Sequence, residues 1–336
     1  MKERPNMITI PPRTLLACAL LMSLSIVGAA QRQAQDGDYP TKPIRFIAPF
    51  PPGGTSDIVA RVVAQKLTDP LGKQVLVDNR GGASGTIGYE LGAKAPPDGY
   101  TLLLTSMGGL VTNQFLYKRL PFDPMNDFAH ISQLATAGQV LVVHPLVQAR
   151  DVQDLVALAK AKPGQLNVGS GGLGTTQHIV AEVFQAATGT KLTHVPYKGG
   201  VLAVGATVAG QINLTFSDMA PAVPHVKSGR LRALAVSSEQ RSVALPEVPT
   251  MADAGIKEWF PQTWWAMSAP RRTPPALIGR LNTEIVKAMK AADVQERFAN
   301  VGLQPLHSTP ERVTELVKTG AARMGKVVKA AGIQPE

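Results

Sequence analysis

Apolar and polar positions follow two rhythms along this chain. Apolar runs at Ile44 to Pro49, Val75 to Asp78, Thr101 to Ser106, Val140 to Val143, Leu166 to Gly169, Leu192 to Pro196, Ile212 to Phe216 and Leu231 to Val236 read as strands bounded by turn residues. Between them, Ile58, Val59, Val62, Val63 and Leu67, and again Ile179, Val180, Val183, Phe184 and Ala187, recur at the spacing of one helical face. The alternation predicts an α/β protein with mainly parallel sheets flanked by helices. Two later helices are announced by Thr273-Pro274 and Thr309-Pro310, a hydroxyl followed by proline at the first helical position, and the last should end near Gly332.

The beginning of the chain follows neither rhythm. Lys2, Arg4 and Arg13 precede an apolar stretch from Leu15 to Val27, and Gly28, Ala29 and Ala30 follow. A basic start, a short apolar core and small residues at its end predict a signal peptide over residues 1–30, cleaved near Ala30, and a periplasmic mature chain. The apolar core falls short of the roughly 20 residues that cross a bilayer. Cys18, the single cysteine, loosely resembles a lipoprotein processing site but stands too early in the apolar stretch. Cleavage removes it, which excludes disulfides, thiolate metal sites and cysteine nucleophiles.

The rest of the 336-residue chain is too long for one compact core and predicts two domains. No linker separates them, so they are expected to be interleaved. Loss of three basic residues and Glu3 with the leader takes the net charge from +10 to +8. The remaining basic residues are scattered singly, which argues against a nucleic-acid surface and leaves a positive potential that favours anionic solutes.

Candidate chemistry gathers at glycine-rich turns. The first strand runs into Phe50-Pro51-Pro52-Gly53-Gly54-Thr55-Ser56-Asp57 and a helix begins at once, placing free backbone N–H groups and a helix dipole where an anion is favoured. A tight turn capped by a hydroxyl would look similar. A second such turn, Gly169-Ser170-Gly171-Gly172-Leu173-Gly174-Thr175, leads to His178 and matches the G-x-G-x-x-G dinucleotide pattern. The next strand ends at Tyr197 and Lys198 without the acid that would hold a ribose, which counts against a nucleotide. Ser84 in the turn after the second strand, Thr105 at the end of the third and Asp218 after the strand ending at Phe216 would face the same crevice. Trp264 and Trp265 could wall a ligand pocket, but such a pair more often packs between elements.

Enzyme signatures are absent: no serine has glycine on both sides at two residues' distance, and there is no phosphate-binding lysine loop or H-E-x-x-H. The six histidines lack metal-ligand spacing, and neither a metal nor a cofactor is expected. A hydrolase or a nucleotide-binding protein using the Gly169 to Gly174 loop stays open as the alternative.

The string Tyr39-Pro40-Thr41-Lys42-Pro43-Ile44-Arg45, Pro52-Gly53-Gly54-Thr55-Ser56-Asp57, Pro97-Asp98-Gly99-Tyr100-Thr101-Leu102, Gly169-Ser170-Gly171, His194-Val195-Pro196-Tyr197-Lys198-Gly199-Gly200, Leu231-Arg232-Ala233-Leu234-Ala235-Val236 and Leu245-Pro246-Glu247-Val248-Pro249-Thr250 resembles the substrate-binding proteins of tripartite tricarboxylate transporters, the Bug family of extracytoplasmic solute receptors. The resemblance covers nearly the whole mature chain. It implies a type II periplasmic binding protein of the Venus-flytrap kind, monomeric and not an enzyme. Such a protein captures a small carboxylate (a di- or tricarboxylate, an amino acid or an aromatic acid) between two lobes, for a membrane permease or for sensing.

Carried over, the resemblance implies lobe one at residues 39–140 and about 237–308, and lobe two at 141–236 with a C-terminal helix at 309–332. The crossing strands would lie near Val140 to Val143 and Leu231 to Val236. The ligand-binding set expected from the turns and the resemblance together is Phe50, Gly53, Gly54, Thr55, Asp57, Ser84, Thr105, Ser170, Gly171, Thr175, His178, Tyr197 and Asp218. Leu202 and Ala206 stand where members commonly carry proline and aspartate, and Asn113-Gln114-Phe115-Leu116-Tyr117 replaces the family's Asn-Pro-x-Leu-Tyr. These departures bear on ligand specificity and leave the two anion-binding loops intact.

Overall fold

The structure, a computed structural model, describes residues 39–258 and 260–330. The expected signal peptide and the end of the last helix near Gly332 lie outside the described residues. Among those described, no helix is long and apolar enough to cross a membrane.

From Lys42 onward the chain builds two sheets. Strands β1 (Ile44–Ala48), β2 (Val75–Asn79), β3 (Thr101–Ser106), β4 (Phe128–Ala137), β10 (Thr263–Pro270) and β11 (Gln304–Pro305) form the first, in the order β11-β4-β10-β3-β1-β2. The second holds β5 (Gln139–Val143), β6 (Asn167–Ser170), β7 (Thr193–Pro196), β8 (Leu214–Asp218) and β9 (Arg232–Val236), in the order β7-β6-β8-β5-β9. Helices α1 (Thr55–Leu71), α2 (Thr86–Ala93), α7 (Pro275–Lys290), α8 (Ala292–Asn300) and α9 (Pro310–Ala330) accompany the first sheet. With the second go α3 (Val152–Ala161), α4 (Thr176–Thr188), α5 (Gly200–Val208) and α6 (Met219–Lys227).

This is an α/β fold of two lobes, and its sheets are mixed. Strand β1 pairs in parallel with β2 and β3, but β10, β4 and β11 add antiparallel pairs. In the second sheet β6 pairs in parallel with β7 and β8, while β5 runs antiparallel to β8 and β9. In the first sheet the antiparallel character enters through β4 and β10, which have no counterpart among the predicted strands. Every residue of β10 is buried and β4 nearly so, so neither shows the one-sided alternation by which a strand is read.

The chain passes between lobes at Gly138, where β4 gives way to β5, and returns just before Thr263. Gly138 is required there: a Cβ would lie 2.8 Å from the Ser238 backbone nitrogen and side chain. The expected crossings at Val140 to Val143 and Leu231 to Val236 are corrected, since both strands lie wholly in the second sheet. The expected return to lobe one at 237 is also early. Ala244, Leu245 and Val248 pack with Val140, Val142 and Val236, and Met251, Ile256 and Phe260 pack with Leu141, Leu234 and Phe184.

A third correction concerns the C-terminal helix. Val313, Val317, Met324 and Val328 of α9 bury their apolar face against Leu110, Val111, Leu116 and Trp264 of the first lobe. Its helical period predicts an apolar face and does not say which sheet receives it.

Candidate functional site

A carboxylate shapes the loop that leaves β1. Asp57, 5% exposed, accepts hydrogen bonds of 3.0 Å from the Gly53 N–H, Arg61 Nε and Asn79 Nδ2. Burial would raise its pKa, but these donors and the Arg61 charge outweigh burial and hold the carboxyl below its ordinary value. Asn79 Nδ2 also donates to the Phe50 carbonyl at 3.1 Å, and Gly53 turns the chain at φ +82°. Gly54 then stands at the N-cap of α1, where it has no side chain to cover the first amides.

The loop after β6 is tied down from within. The Gly171 N–H donates to Gln177 Oε1 at 2.6 Å, the Gly172 N–H to Ser170 Oγ at 3.1 Å, and the Gly174 N–H to His178 Nδ1 at 3.4 Å. Ser170 Oγ also meets His194 Nε2 at 2.7 Å, and the His194 and His178 rings stack with centroids 4.3 Å apart. Burial first, and then the neighbouring His194, lowers the His178 pKa to about 3. Burial lowers that of His194 too, so the stacked pair is neutral. Helix α4 starts beyond Thr175, whose hydroxyl bonds to the Gly172 carbonyl at 2.8 Å and leaves the helix uncapped.

Two more helices begin in the same way. Gly199, at φ +135°, precedes α5 without a cap, and Asp218 precedes α6 with its carboxyl turned from the first-turn amides to Gln139 Nε2, 2.7 Å away. Helix α3 is capped by Asp151 on the Asp154 N–H at 2.8 Å, while α2, α7 and α8 also begin without a side-chain cap. The uncapped starts of α1, α4, α5 and α6 converge on one cavity of about 140 Å³, also lined by Ser84, Ser106, Gly108, Thr263 and Trp265. Trp265 Nε1 donates to Ser56 Oγ at 3.1 Å and fixes the indole against the first turn of α1.

Charge in this cavity comes from the backbone. Among its described lining residues there is no lysine, arginine or histidine, and Asp218 is the one ionisable side chain. Burial raises the Asp218 pKa, partly offset by the Gln139 hydrogen bond and then by the neighbouring Thr55 hydroxyl. Thr55 Oγ1 lies near that carboxyl but outside hydrogen-bonding geometry, and no protein group satisfies it. Each helix start carries roughly half a positive charge, so the cavity favours an anion that hydrogen-bonds to amides and hydroxyls. Among the described residues, no group of histidine, cysteine and acidic side chains could hold a metal ion.

The model of the tripartite tricarboxylate transporter family receptor, TctC, matches residues 59–333. The chain belongs to this family. BugT of Bordetella pertussis is 37% identical over 320 residues, covering 95% of this chain and 98% of BugT. Among solved structures, Rhodopseudomonas palustris Rpa4515 with adipate is 32% identical with a TM-score of 0.87, covering 89% of this chain and all of that one. MatC from the same organism, with bound malate, is 26% identical with a TM-score of 0.82, covering 86% of this chain and 100% of its own.

In this TctC-family receptor, Phe50, Gly54, Thr55, Ser84, Gly171, Thr175 and Asp218 reach the cavity. The remaining expected residues stand behind it. Gly53 and Asp57 bond to each other and shape the turn. Thr105 points to the opposite face of β3, where its hydroxyl meets Ser268 Oγ at 3.0 Å, and the strand's alternation presents Ser106 instead. Ser170 is wholly buried and His178 is 5% exposed, stacked under the loop. Tyr197 leaves its ring against Gly169.

Both alternative uses of the second loop meet obstacles. Ser170 and His194 sit at dyad distance, but neither lines the cavity. A dinucleotide needs free amides, and those of Gly171, Gly172 and Gly174 are already bonded within the loop. At Gly169 a Cβ would lie 2.4 Å from Ile212, so this glycine serves packing.

Several lining residues escaped the sequence reading. The third helix start, at Gly199, Gly200 and Val201, was legible as paired glycines before an apolar run. Trp265 was read as a packing residue, and the reading fits Trp264, which lies in the first lobe's apolar cluster. Gln177 and Thr263 carry no signal that a sequence could have offered.

Proposed function

We propose that this chain is exported to the periplasm, where as a monomer it closes two lobes on a small carboxylate and presents it to a membrane permease of the tripartite tricarboxylate type or to a sensor. The observation that carries this is the convergence of four uncapped helix starts on one cavity without a basic side chain. A carboxylate satisfies such amides through a pair of oxygens and gains from the helix dipoles. A cation would face four positive helix ends, and a neutral sugar would leave their field unused.

Membership of a receptor family and the adipate and malate held by two structural neighbours support the same reading. Both lobes of one chain contribute lining residues to the cavity, which supports a monomeric receptor. Binding on one lobe followed by closure of the other requires contacts made only in the closed form.

The test is a thermal-shift screen of mono-, di- and tricarboxylates, amino acids, aromatic acids, sugars and nucleotides, on protein refolded from denaturant to strip bound ligand. A ligand at a hundred times its Kd adds about 2.7 kcal/mol of stability. A carboxylate that raises the melting temperature is expected. A shift with a sugar or nucleotide and none with any acid overturns the proposal.

A further inference from the structure

The Asp218 carboxyl is free of the duty its position normally imposes. An aspartate at an N-cap ordinarily bonds the first amides of its helix, yet here it does not. It is held instead by a frame at the lobe crossings. Gln139 Nε2 donates to Asp218 Oδ1 at 2.7 Å and to Thr263 Oγ1 at 3.0 Å. Gln139 and Thr263 open the strands that follow the two crossings, and Gln139 is wholly buried. The carboxyl is thereby fixed at the cavity wall.

The Asp218 carboxyl keeps acceptor capacity in either protonation state, since Gln139 occupies one site. Next to it, Thr55 is 3% exposed, lines the same cavity, and has a hydroxyl without a hydrogen-bond partner. Two polar groups from opposite lobes thus stand side by side at the cavity wall, the Thr55 hydroxyl near enough to the carboxyl to lower its pKa. A ligand carboxylate placed against Asp218 would set two acids together with no basic side chain in the lining. An O–H or N–H of the ligand meets no such conflict, since Asp218 accepts its hydrogen and Thr55 completes the contact.

We infer that Asp218, seconded by Thr55, determines specificity, and that the ligand carries a hydroxyl or ammonium donor in addition to its carboxylate. This rests on the carboxylate-receptor reading above and narrows it to hydroxy or amino acids.

The experiment measures Kd by calorimetry, on refolded protein, for acids matched in skeleton: propanoate, lactate and alanine, and succinate, malate and aspartate. In one set at least, the hydroxy or the amino acid should bind about tenfold to a hundredfold more tightly than the plain acid, the range for a hydrogen bond to a charged group. In Asp218→Ala that ratio should fall to near one. Should this variant not fold, Asp218→Asn, which keeps the shape and the Gln139 contact, should show the same fall for the ammonium ligand. Plain acids that bind wild type as well as their hydroxy and amino counterparts overturn the inference and leave the receptor reading standing. A ratio unchanged in the variants overturns the role of Asp218. Binding of none of the six, nor of any longer or aromatic acid, overturns the receptor reading itself.

Discussion

Ser84 Oγ donates a 2.5 Å hydrogen bond to the carbonyl of Leu173, joining the loop after β2 in one lobe to the loop after β6 in the other. Ser84 adopts a left-handed conformation, φ +53°, to make it. The bond exists only where the two loops meet, so it favours the closed form and is absent when the lobes part.

Ser84→Ala should therefore weaken binding without unfolding either lobe. A neutral hydrogen bond contributes about 0.5–1.5 kcal/mol, which corresponds to a rise in Kd of roughly twofold to tenfold. Calorimetry with a ligand found by the thermal screen checks this, and the unliganded melting temperature should hardly move.

Two glycines offer opposite outcomes. In Gly171→Ala the new Cβ would lie 2.9 Å from the Gly200 nitrogen and 3.0 Å from Gln177 Oε1, so the loop must shift. A cost of about 1–3 kcal/mol in stability is expected, with at least a tenfold loss of affinity. Gly205, inside α5, has nothing within 4 Å of its Cβ position. Gly205→Ala should raise stability by about 0.5–1 kcal/mol through helix propensity and leave binding intact. Urea unfolding with parallel titrations separates the two.

Trp265 lines the cavity and Trp264 packs behind it. Ligand binding should change the intrinsic fluorescence, and Trp265→Phe should remove most of that change. Loss of the hydrogen bond to Ser56 should also raise Kd. A change that persists in the variant would place the ligand away from this indole.

Acid should destabilise the protein through its buried histidines. Burial and His194 lower the His178 pKa to about 3, and burial and Arg271 lower that of His130 to about 4. Unfolded, both bind protons near pH 6.5. Between that pH and the folded values the unfolded state carries more protons, so stability is full above about pH 7 and declines as the pH falls toward 4. Each group contributes a slope of up to about 1.4 kcal/mol per pH unit. Urea unfolding between pH 7 and 4.5 should show a shallower decline in His178→Gln than in wild type.

Much of the frame was legible in local pattern. The strands β1, β2 and β3 and the parallel trio β6, β7 and β8 announced themselves as short apolar runs ending in turns, and α1 and α4 as single apolar faces. The turns at Gly53-Gly54 and Gly171 were legible because paired glycines before a helix imply a close backbone approach. What failed was everything decided across the molecule. Strands β4 and β10 lie in the middle of a sheet with both faces covered, so their pattern carries no face. Helix α9 has a clear apolar stripe, but its partner is set by which sheet leaves room for it.

The site divides along the same line. By itself the sequence determined that helices start at glycine-rich turns after strands, because backbone conformation and capping are settled within a few residues. Which side chains reach the ligand was decided only by tertiary structure. Thr105 and Ser106 differ by one step of strand alternation, and Asp57 and Asp218 by whether a neighbour from another strand turns the carboxyl inward to a loop or outward to the cavity. Those choices depend on contacts between Asp57 and Asn79, or Gln139 and Asp218, that lie 22 and 79 residues apart, and no local rule spans such a distance.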